Sequence, residues 1–320
     1  MLVTCIGRIG KVGLLEKDGA AFNQQINAII PHHELVIGKY LAYKLWSERK
    51  KLQMMADAAV VPIINKRRFS NFQVEIPPLS YQRKAVEVLD KAQELVDKRK
   101  SQMEALGQLA QSLFVELFGD WDQNEKGWTV VSLEEIADRI TDGMHSKPDY
   151  TQEGIPFISA KDINTGKLSF ENCKFIAEET YRNFSARCKP EPGDILYTKV
   201  GTYGIPALVD KDTAFGLYVS VALIKPKRHL VNSLFLREAL RSVWVKRQAH
   251  RSVKGIGVPD LHLEEIKKFQ IILPPLKLQE HFAQQVLQIE RQRDRMEKSL
   301  LQLEDNFLAL MQLAFQGKLP

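Results

Sequence analysis

The sequence is poor in cysteine and lacks long apolar runs, and both shortages exclude classes of protein. Its 320 residues include three cysteines, Cys5, Cys173 and Cys188, which form no CxxC pair. A disulfide framework and a structural zinc site are therefore both disfavoured. No stretch approaches the ~20 apolar residues of a membrane span. Gly7 and Arg8 interrupt the apolar start of the chain, so no secretory signal is recognised. These absences predict a chain of the reducing cytoplasm with no membrane partner.

Motifs of nucleotide binding and of hydrolysis are also missing. The seven histidines include no HExxH pattern, and no Ser/His/Asp arrangement is legible. Gly7, Gly10 and Gly13 have the spacing GxxGxxG, which is neither the dinucleotide fingerprint GxGxxG nor a P-loop. We expect these glycines to allow a tight turn between strands. The sequence therefore predicts no cofactor.

One short series has the residue types of a metal-dependent nuclease. Asp260 is followed by Glu265 and Lys267, and such enzymes use acidic residues to hold Mg²⁺ and a lysine near the scissile phosphate. The spacing is shorter than is usual, and an internal copy of the segment does not share these charges. We therefore predict no catalytic residue and no metal site.

What the chain does contain is an internal repeat. Residues 2–20 match residues 196–214 at an offset of 194, and a second stretch matches at an offset of 197. The later copy has an upstream part, at about 121–195, which the first copy lacks, so we expect the first unit to be shortened at its N-terminus. The identical pairs include Leu2/Leu196, Thr4/Thr198, Gly7/Gly201, Gly10/Gly204, Pro77/Pro274, Pro78/Pro275, Leu79/Leu276 and Gln82/Gln279.

Each copy ends in a long segment with a heptad pattern. Apolar residues recur at steps of three and four over 79–118 and 276–314, which predicts helices with a coiled-coil seam. A generic dimerisation coil would explain either helix alone, but the repeat favours an antiparallel pair within one chain. The predicted seam consists of Leu89, Val96, Met103, Leu106 and Leu113 in the first helix and Val286, Ile289, Met296, Leu300, Leu303, Phe307 and Leu310 in the second.

The net charge of +6 is concentrated outside these helices. The first helix is neutral and the second carries −1, which leaves +7 for the remaining segments. Positive charge on globular parts suits contact with phosphates, although a modest excess of this kind is common.

The segment 121–275 is typical of a mixed α/β domain with short strands. We predict strands at 155–159, 193–200 and 218–224, and a helix over 233–247, where Leu236, Leu240 and Trp244 share one face. Polar loops with glycine, lysine and histidine connect these elements. The predicted fold class is α+β domains joined to long helices that form an intramolecular antiparallel coiled coil.

Four segments together carry a resemblance to a known family. They are ISAKDI at 158–163, GDILYTKVGTYG at 193–204, VPDLHLEEIKKFQIILPPLKLQE at 258–280 and LMQLAFQGKL at 310–319. The combination closely resembles the DNA-specificity subunit of type I restriction–modification systems. The resemblance implies target-recognition domains that each read half of a split double-stranded DNA site. It also implies paired helical spacers, no catalysis, and two methyltransferase subunits as partners, with restriction and motor subunits in the full complex.

The resemblance also divides the chain into domains. Residues 1–78 correspond to the C-terminal part of a first target-recognition domain, and 79–120 to the first spacer helix. Residues 121–275 correspond to a complete second target-recognition domain, and 276–320 to the second spacer helix.

Candidates for DNA contact are loop residues that can meet phosphates or base edges. The residues at matching repeat positions differ, as expected if the two domains read different sequences: Lys199, Thr202 and Tyr203 correspond to Cys5, Arg8 and Ile9, with Lys11 nearby. The predicted DNA-binding residues are His145, Lys147, Lys161, Lys199, Thr202, Tyr203 and Lys254 in the later domain and Arg8 and Lys11 in the first.

Two alternatives remain open from the sequence. The first is a coiled-coil scaffold or assembly protein without DNA specificity, and a salt-dependent affinity for DNA would separate the two functions. The second is an enzyme in its own right, a nuclease or a methyltransferase, which would show activity with Mg²⁺ or S-adenosylmethionine on the purified chain.

Overall fold

The computed structural model of the chain describes residues 1–15, 19–56, 61–255 and 257–319. The chain forms two compact units. Unit 1 comprises Met1–Glu104 and Arg293–Pro320, and unit 2 comprises Ala105–Gln292. Both units combine helices with strands, and two long helices run through both of them. The predicted class of α+β domains with long helices is confirmed.

Unit 1 is built on a small antiparallel sheet. The elements of this unit before the second long helix are β1 (Leu2–Thr4), β2 (Val12–Gly13), β3 (Ile26–Ala28), α1 (Gly38–Ser47), α2 (Arg49–Met54), α3 (Lys66–Ser70) and α4 (Leu79–Phe118). The strand β1 lies between β2 and β3 and is antiparallel to both. The helix α1 packs its buried face, which includes Tyr40 and Leu41, into one apolar cluster with Val3 of β1 and Leu89 of α4.

Unit 2 contains a larger set of strands. They are β4 (Thr129–Ser132), β5 (Ala137–Asp142), β6 (Tyr150–Thr151), β7 (Ile155–Ile158), β8 (Lys174–Ile176), β9 (Ile195–Thr198), β10 (Pro206–Leu208), β11 (Gly216–Leu217), β12 (Val221–Pro226) and β13 (Gln270–Leu273). The helices that follow α4 are α5 (Glu178–Ser185), α6 (Ser233–Arg241), α7 (Val243–Ser252), α8 (Leu263–Lys267) and α9 (Leu276–Phe315).

Among the described residues of unit 2, the strands form separate sheets. One has the order β10-β9-β12-β5 with antiparallel neighbours, and a second has the order β11-β7-β8-β6, in which β11 is parallel to β7. A third pairs β13 with β4. The strand β12 is buried on both faces because Ala222 and Ile224 enter one apolar cluster while Val221 and Leu223 enter another.

The strands predicted at 155–159 and 193–200 are shorter in the structure, at Ile155–Ile158 and Ile195–Thr198, and two other predicted elements differ for identifiable reasons. The helix predicted over 233–247 is broken at Ser242, whose extended backbone separates α6 from α7 and whose hydroxyl oxygen accepts a hydrogen bond from the Val245 N–H at 3.3 Å. The strand predicted at 218–224 begins only at Val221, because the chain turns after Leu217 and passes from one sheet to the other.

The long helices begin and end where proline and glycine predicted. The helix α4 starts after Pro77-Pro78 and α9 after Pro274-Pro275, since proline is tolerated at a helix start but not in its interior. Gly119 follows α4 with a φ of 82°, and its N–H donates a hydrogen bond to the carbonyl oxygen of Val115 at 2.7 Å. This left-handed residue is the common glycine stop of a helix.

Within unit 1, the start of α4 packs against the end of α9. Leu89 is fully buried in the same cluster as Phe307 and Met311. The Tyr81 hydroxyl donates to the carbonyl oxygen of Ala314 at 2.8 Å. Farther along, Lys100 of α4 and Glu304 of α9 form an ion pair at 2.8 Å. The two helices therefore run antiparallel in this unit.

Within unit 2, the end of α4 packs against the start of α9. The Phe282 ring lies 5.4 Å from that of Phe114 and 5.3 Å from that of Phe118, centroid to centroid. The direction is again antiparallel, as predicted.

The exposed Leu95 and Leu109 lie off the seam of the two long helices. The predicted seam residues are all buried or half-buried: Leu89, Val96, Met103, Leu106, Leu113, Val286, Ile289, Met296, Leu300, Leu303, Phe307 and Leu310.

A buried glutamine on each long helix fixes the adjoining chain by the same three hydrogen bonds. The side-chain oxygen of Gln279 accepts from the Asn232 N–H at 2.8 Å, and its amide donates to the carbonyls of Leu230 and Pro274. The corresponding bonds of Gln82 go to the N–H of Ile37 and the carbonyls of Leu35 and Pro77. The sequence repeat is thus a repeat of structure.

Within the described parts of the chain, no helix combines the length and the apolar composition that crossing a bilayer requires.

Candidate nucleic-acid interface

A tight turn joins β9 to β10 in unit 2. The Thr198 carbonyl accepts from the Gly204 N–H at 3.0 Å, and the Thr198 hydroxyl oxygen accepts from the Ile205 N–H at 2.9 Å. Gly201 and Gly204 have φ of 74° and 83°, which residues with a Cβ rarely adopt. The turn therefore presents Thr202 and Tyr203 at a fixed place.

The same turn joins β1 to β2 in unit 1. The Thr4 carbonyl accepts from the Gly10 N–H at 2.9 Å, and the Thr4 hydroxyl oxygen accepts from the Lys11 N–H at 3.0 Å. Gly7 and Gly10 again have positive φ. The glycines shape the turn, as the sequence predicted.

A second loop docks on this turn in both units. In unit 2, the Gly201 N–H donates to the Pro259 carbonyl at 2.9 Å, and the Leu261 N–H donates to the Lys199 carbonyl at 2.8 Å. Unit 1 has the equivalent hydrogen bonds. The Gly7 N–H donates to the Pro62 carbonyl at 3.0 Å, and the Ile64 N–H donates to the Cys5 carbonyl at 2.9 Å.

Three further loops reach the same place in unit 2. The Lys199 N–H donates to the Ser220 carbonyl at 2.9 Å, and the Ser220 hydroxyl oxygen accepts from the Ala160 N–H at 3.1 Å. The loop after β5 is held by the Met144 N–H, which donates to the Leu217 carbonyl at 2.7 Å. Four loops that carry predicted DNA-binding residues therefore converge around Lys199 and Ser220.

A network of charges lies at the centre of this cluster of loops. The Asp142 carboxylate is 5% exposed, and its Oδ1 lies 3.1 Å from the His145 Nε2 and 2.8 Å from a guanidinium nitrogen of Arg187. The Lys199 ammonium lies 3.5 Å from Asp142 Oδ2 and 3.7 Å from Asp260 Oδ1. One buried lysine thus lies between two carboxylates from different loops.

Most predicted residues of unit 2 lie at the surface of the loop cluster. His145, Lys147, Thr202 and Lys254 are exposed. Tyr203 is half-buried, and its hydroxyl lies 2.9 Å from the Nδ1 of His250 on α7. This surface presents hydrogen-bonding groups and cations to solvent.

Two predicted lysines are engaged within the protein. The Lys199 side chain is 7% exposed, so its ammonium faces the carboxylates of Asp142 and Asp260 and not an open surface. The Lys161 ammonium donates to the Asn172 carbonyl at 3.0 Å, although its side chain is about half exposed. The structure gives Lys199 an internal role, which the sequence did not predict.

In unit 1, the matching turn presents two cationic side chains. Arg8 and Lys11 are both exposed. Cys5 and Ile9, which the repeat aligns with Lys199 and Tyr203, are instead buried in an apolar cluster. Their alignment with candidate DNA-contacting positions therefore does not extend to a surface location.

Sequence reasoning missed the groups that organise the cluster. Asp142 ends β5 and belongs to no recognisable pattern, and Asp260 was singled out only in the nuclease-like series and not as a partner of Lys199. Arg187 lies next to the buried Cys188, which gave no signal of a nearby charged site. Burial raises the pKa of Cys188 to about 12, an effect that exceeds the opposing attraction of Arg187, so the thiol stays protonated at neutral pH.

The residues of the nuclease-like series do not come together. Asp260 faces Lys199, whereas Glu265 pairs with Lys268 at 3.5 Å and Lys267 pairs with Glu264 at 2.7 Å. Among the residues that the structure describes, no group of three or more histidine, cysteine or acidic side chains is arranged to hold a metal ion.

Comparison with known proteins gives a consistent result along the chain. The family model described as type I restriction modification DNA specificity domain matches residues 1–105 and 125–305. A similar protein is the type I restriction enzyme MjaVIII specificity subunit of Methanocaldococcus jannaschii, which is 23% identical over 97% of this chain and 75% of its own length. The EcoBI specificity subunit of Escherichia coli is 22% identical over 94% of this chain and 69% of its own length.

Solved structures share the fold. A chain from a study of complex assembly and conformational transition of the type I R-M system superposes with a TM-score of 0.64 at 19% identity, covering 99% of this chain and 82% of that one. The type I restriction-modification S subunit from M. genitalium gives a TM-score of 0.56 at 18% identity, with coverages of 98% and 82%. The relatives are named as specificity subunits, in agreement with the prediction of a non-catalytic subunit. The family model covers most of the length of this chain. The chain therefore belongs to the family of type I restriction modification DNA specificity domains.

Proposed function

We propose that this chain reads double-stranded DNA for a type I restriction–modification complex and catalyses no reaction itself. The recognition surface of unit 2 is the cluster of loops around Lys199 and Ser220, where His145, Lys147 and Lys254 are exposed. This convergence of polar loops on one scaffold is the observation that carries the proposal. Cations of such a surface pair with phosphates, and polar side chains meet base edges in the grooves.

The repeat supports a second reader in unit 1. Its turn has the same backbone hydrogen bonds as that of unit 2 but presents Arg8 in place of Thr202, with the exposed Lys11 nearby. A common scaffold with different side chains suits two readers of different sequences. We therefore propose residues 1–78 and 121–275 as recognition regions, and 79–120 and 276–320 as the helical segments that carry them.

The partners follow from the same family. We propose that the chain assembles with two methyltransferase subunits, and with restriction and motor subunits in the full complex, in the cytoplasm. The relatives are named as subunits of type I restriction enzymes, which supports an assembly of this kind. The long helices offer surfaces outside the seam for such partners, since side chains such as Leu95 and Leu109 are exposed there.

Binding of random-sequence duplex DNA at several salt concentrations tests the DNA-reading function. Lysine and arginine side chains that bind phosphates release counterions from the DNA. The logarithm of the affinity should therefore fall linearly with the logarithm of the salt concentration, with a slope of about −0.9 per phosphate contact. Lys147→Gln combined with Lys254→Gln should weaken binding and make the slope shallower by about 1 to 2.

Lys298→Gln is the matched control, because Lys298 is an exposed lysine on α9 and belongs to none of the loops of the cluster. It should leave both the affinity and the slope unchanged. A wild-type chain without salt-dependent affinity would favour the scaffold function instead, and hydrolysis or methylation of DNA by the chain alone would favour an enzyme.

A further inference from the structure

The loop cluster of unit 2 contains a buried lysine, Lys199. In this geometry its ammonium faces carboxylates of the protein and is not presented to DNA. The Lys199 side chain is 7% exposed and the Asp142 side chain 5% exposed, so both lie below the recognition surface. Buried charges are kept where they are paired, because burial without a partner is strongly unfavourable.

Each aspartate that faces Lys199 is also joined to a different part of the surface, Asp142 by its carboxylate and Asp260 by its backbone. Asp142 contacts the His145 imidazole at 3.1 Å and the Arg187 guanidinium at 2.8 Å, and both of those side chains are more than half exposed. Asp260 exchanges two backbone hydrogen bonds of 2.9 Å with Lys254. Through two ion pairs, Lys199 therefore connects the loop of His145 with the loop of Lys254.

The oxygen of Asp260 depends on this lysine. Its Oδ1 is buried and has no hydrogen-bond partner in the part of the chain that the structure describes, and the Lys199 ammonium lies 3.7 Å from it. The loop that bears Lys254 is thus held toward Lys199 by electrostatic attraction as well as by its backbone.

Unit 1 shows that the shared scaffold forms without this charge pair. The same backbone bonds join the turn to the second loop there, but the residues matching Lys199 and Asp260 are Cys5, which is buried, and Ile63, which is exposed. The pair is therefore an addition particular to unit 2 and not a requirement of the fold.

We propose that Lys199 is a positioning residue, which acts through Asp142 and Asp260 to fix the recognition loops of unit 2 relative to one another. This inference rests on the proposed DNA-reading function. The network sets how well one sequence is distinguished from another, and it contributes little to the attraction for DNA in general. A direct phosphate contact by Lys199 would have the opposite signature, since phosphate contacts add affinity without sequence information.

Selection from duplexes with a randomised central region, followed by sequencing, tests the proposal with the full chain. The variants are Lys199→Met, Lys199→Arg and Asp260→Asn, and affinity for unselected random duplex is measured beside the enrichment. Asp260→Asn keeps the shape of the side chain and removes a negative charge, so its effect on general attraction to DNA is favourable or absent. It also keeps the experiment decisive if Lys199→Met fails to fold, because Asp260 is partly exposed.

The expected result is that Lys199→Met and Asp260→Asn reduce enrichment of the selected sequence by about tenfold or more, while affinity for random duplex changes by less than about threefold. Lys199→Arg should retain part of the enrichment. At any positions of the motif that unit 1 reads, the enrichment should be the same as with the wild type. The control is Asp138→Asn, an exposed aspartate at the other end of the same strand as Asp142, and it should behave as the wild type.

Two results would overturn the inference. One is unchanged enrichment in Asp260→Asn and Lys199→Met. The other is a loss of random-duplex affinity in Lys199→Met that matches its loss of enrichment, because that identifies a direct phosphate contact. A wild-type chain that binds no duplex at all overturns the proposed function itself, which is a distinct outcome.

Discussion

At the scale of single residues, the fold of each unit depends on polar groups that the core encloses completely. Gln279 is fully buried, and its amide satisfies one N–H and two carbonyl groups of the surrounding backbone. A buried amide of this kind costs little while it is fully bonded, but its loss leaves several backbone groups without partners. The equivalent Gln82 has the same role in unit 1.

Gln279→Leu should therefore lower the free energy of unfolding of the chain by about 3 kcal/mol or more, because leucine can replace none of the three hydrogen bonds. Gln284→Leu is the control, since Gln284 is exposed on the same helix and should change stability by less than about 0.5 kcal/mol. Urea unfolding of both variants measures the difference. Equal losses in the two variants would contradict the structural role of Gln279.

The sequence predicted the location of some site residues but not the connections between them. The repeat identified the Gly201 and Gly204 turn, and loop composition indicated His145 and Lys254 as surface groups. The burial of Lys199 could not be read from the sequence, because Asp142 and Asp260 come close to it only when distant loops fold together. A lysine beside a glycine turn has the same local pattern whether it is exposed or buried.

At the scale of secondary-structure elements, the long helices were the most predictable part of the molecule. A heptad repeat over many turns specifies both the helix and its buried face, and proline and glycine specify its ends. The shorter elements were less predictable. The break at Ser242 depends on a cap that competes with the helical pattern on either side of it.

The buried face of α4 can be tested by placing a charge on it. Leu89→Asp should destabilise the chain by about 3 kcal/mol or more, since Leu89 is fully buried against α9 within unit 1. The matched variant is Leu95→Asp on the exposed face of the same helix, where Leu95 is 54% exposed and a charge is easily hydrated. Thermal or urea unfolding that ranks the two variants equally would refute the assigned seam.

At the scale of the whole molecule, the chain uses one structural plan in both units and varies its surface. The turn, the docked second loop and the buried glutamine are the same in unit 1 and unit 2, down to individual hydrogen bonds. The side chains on the turn differ, and unit 2 adds the Lys199 charge network. A conserved plan with variable loops allows the specificity of a reader to change without a change of fold.

The family is established by the match along the chain, and under the proposed function the exposed side chains of the loops determine the base sequence that is read. The loops carry several donors and acceptors, and each of these pairs with more than one base. For this reason the recognition sequence has to be measured.

Base-resolution profiling of DNA methylation in cells that hold this gene and its partner subunits is the most direct test of DNA specificity. We expect a methylated motif that disappears when the gene is deleted, returns when the gene is restored, and changes when the loop residues His145, Lys147 and Lys254 are replaced. A motif that persists unchanged without the gene would contradict the claim that this chain supplies the sequence recognition.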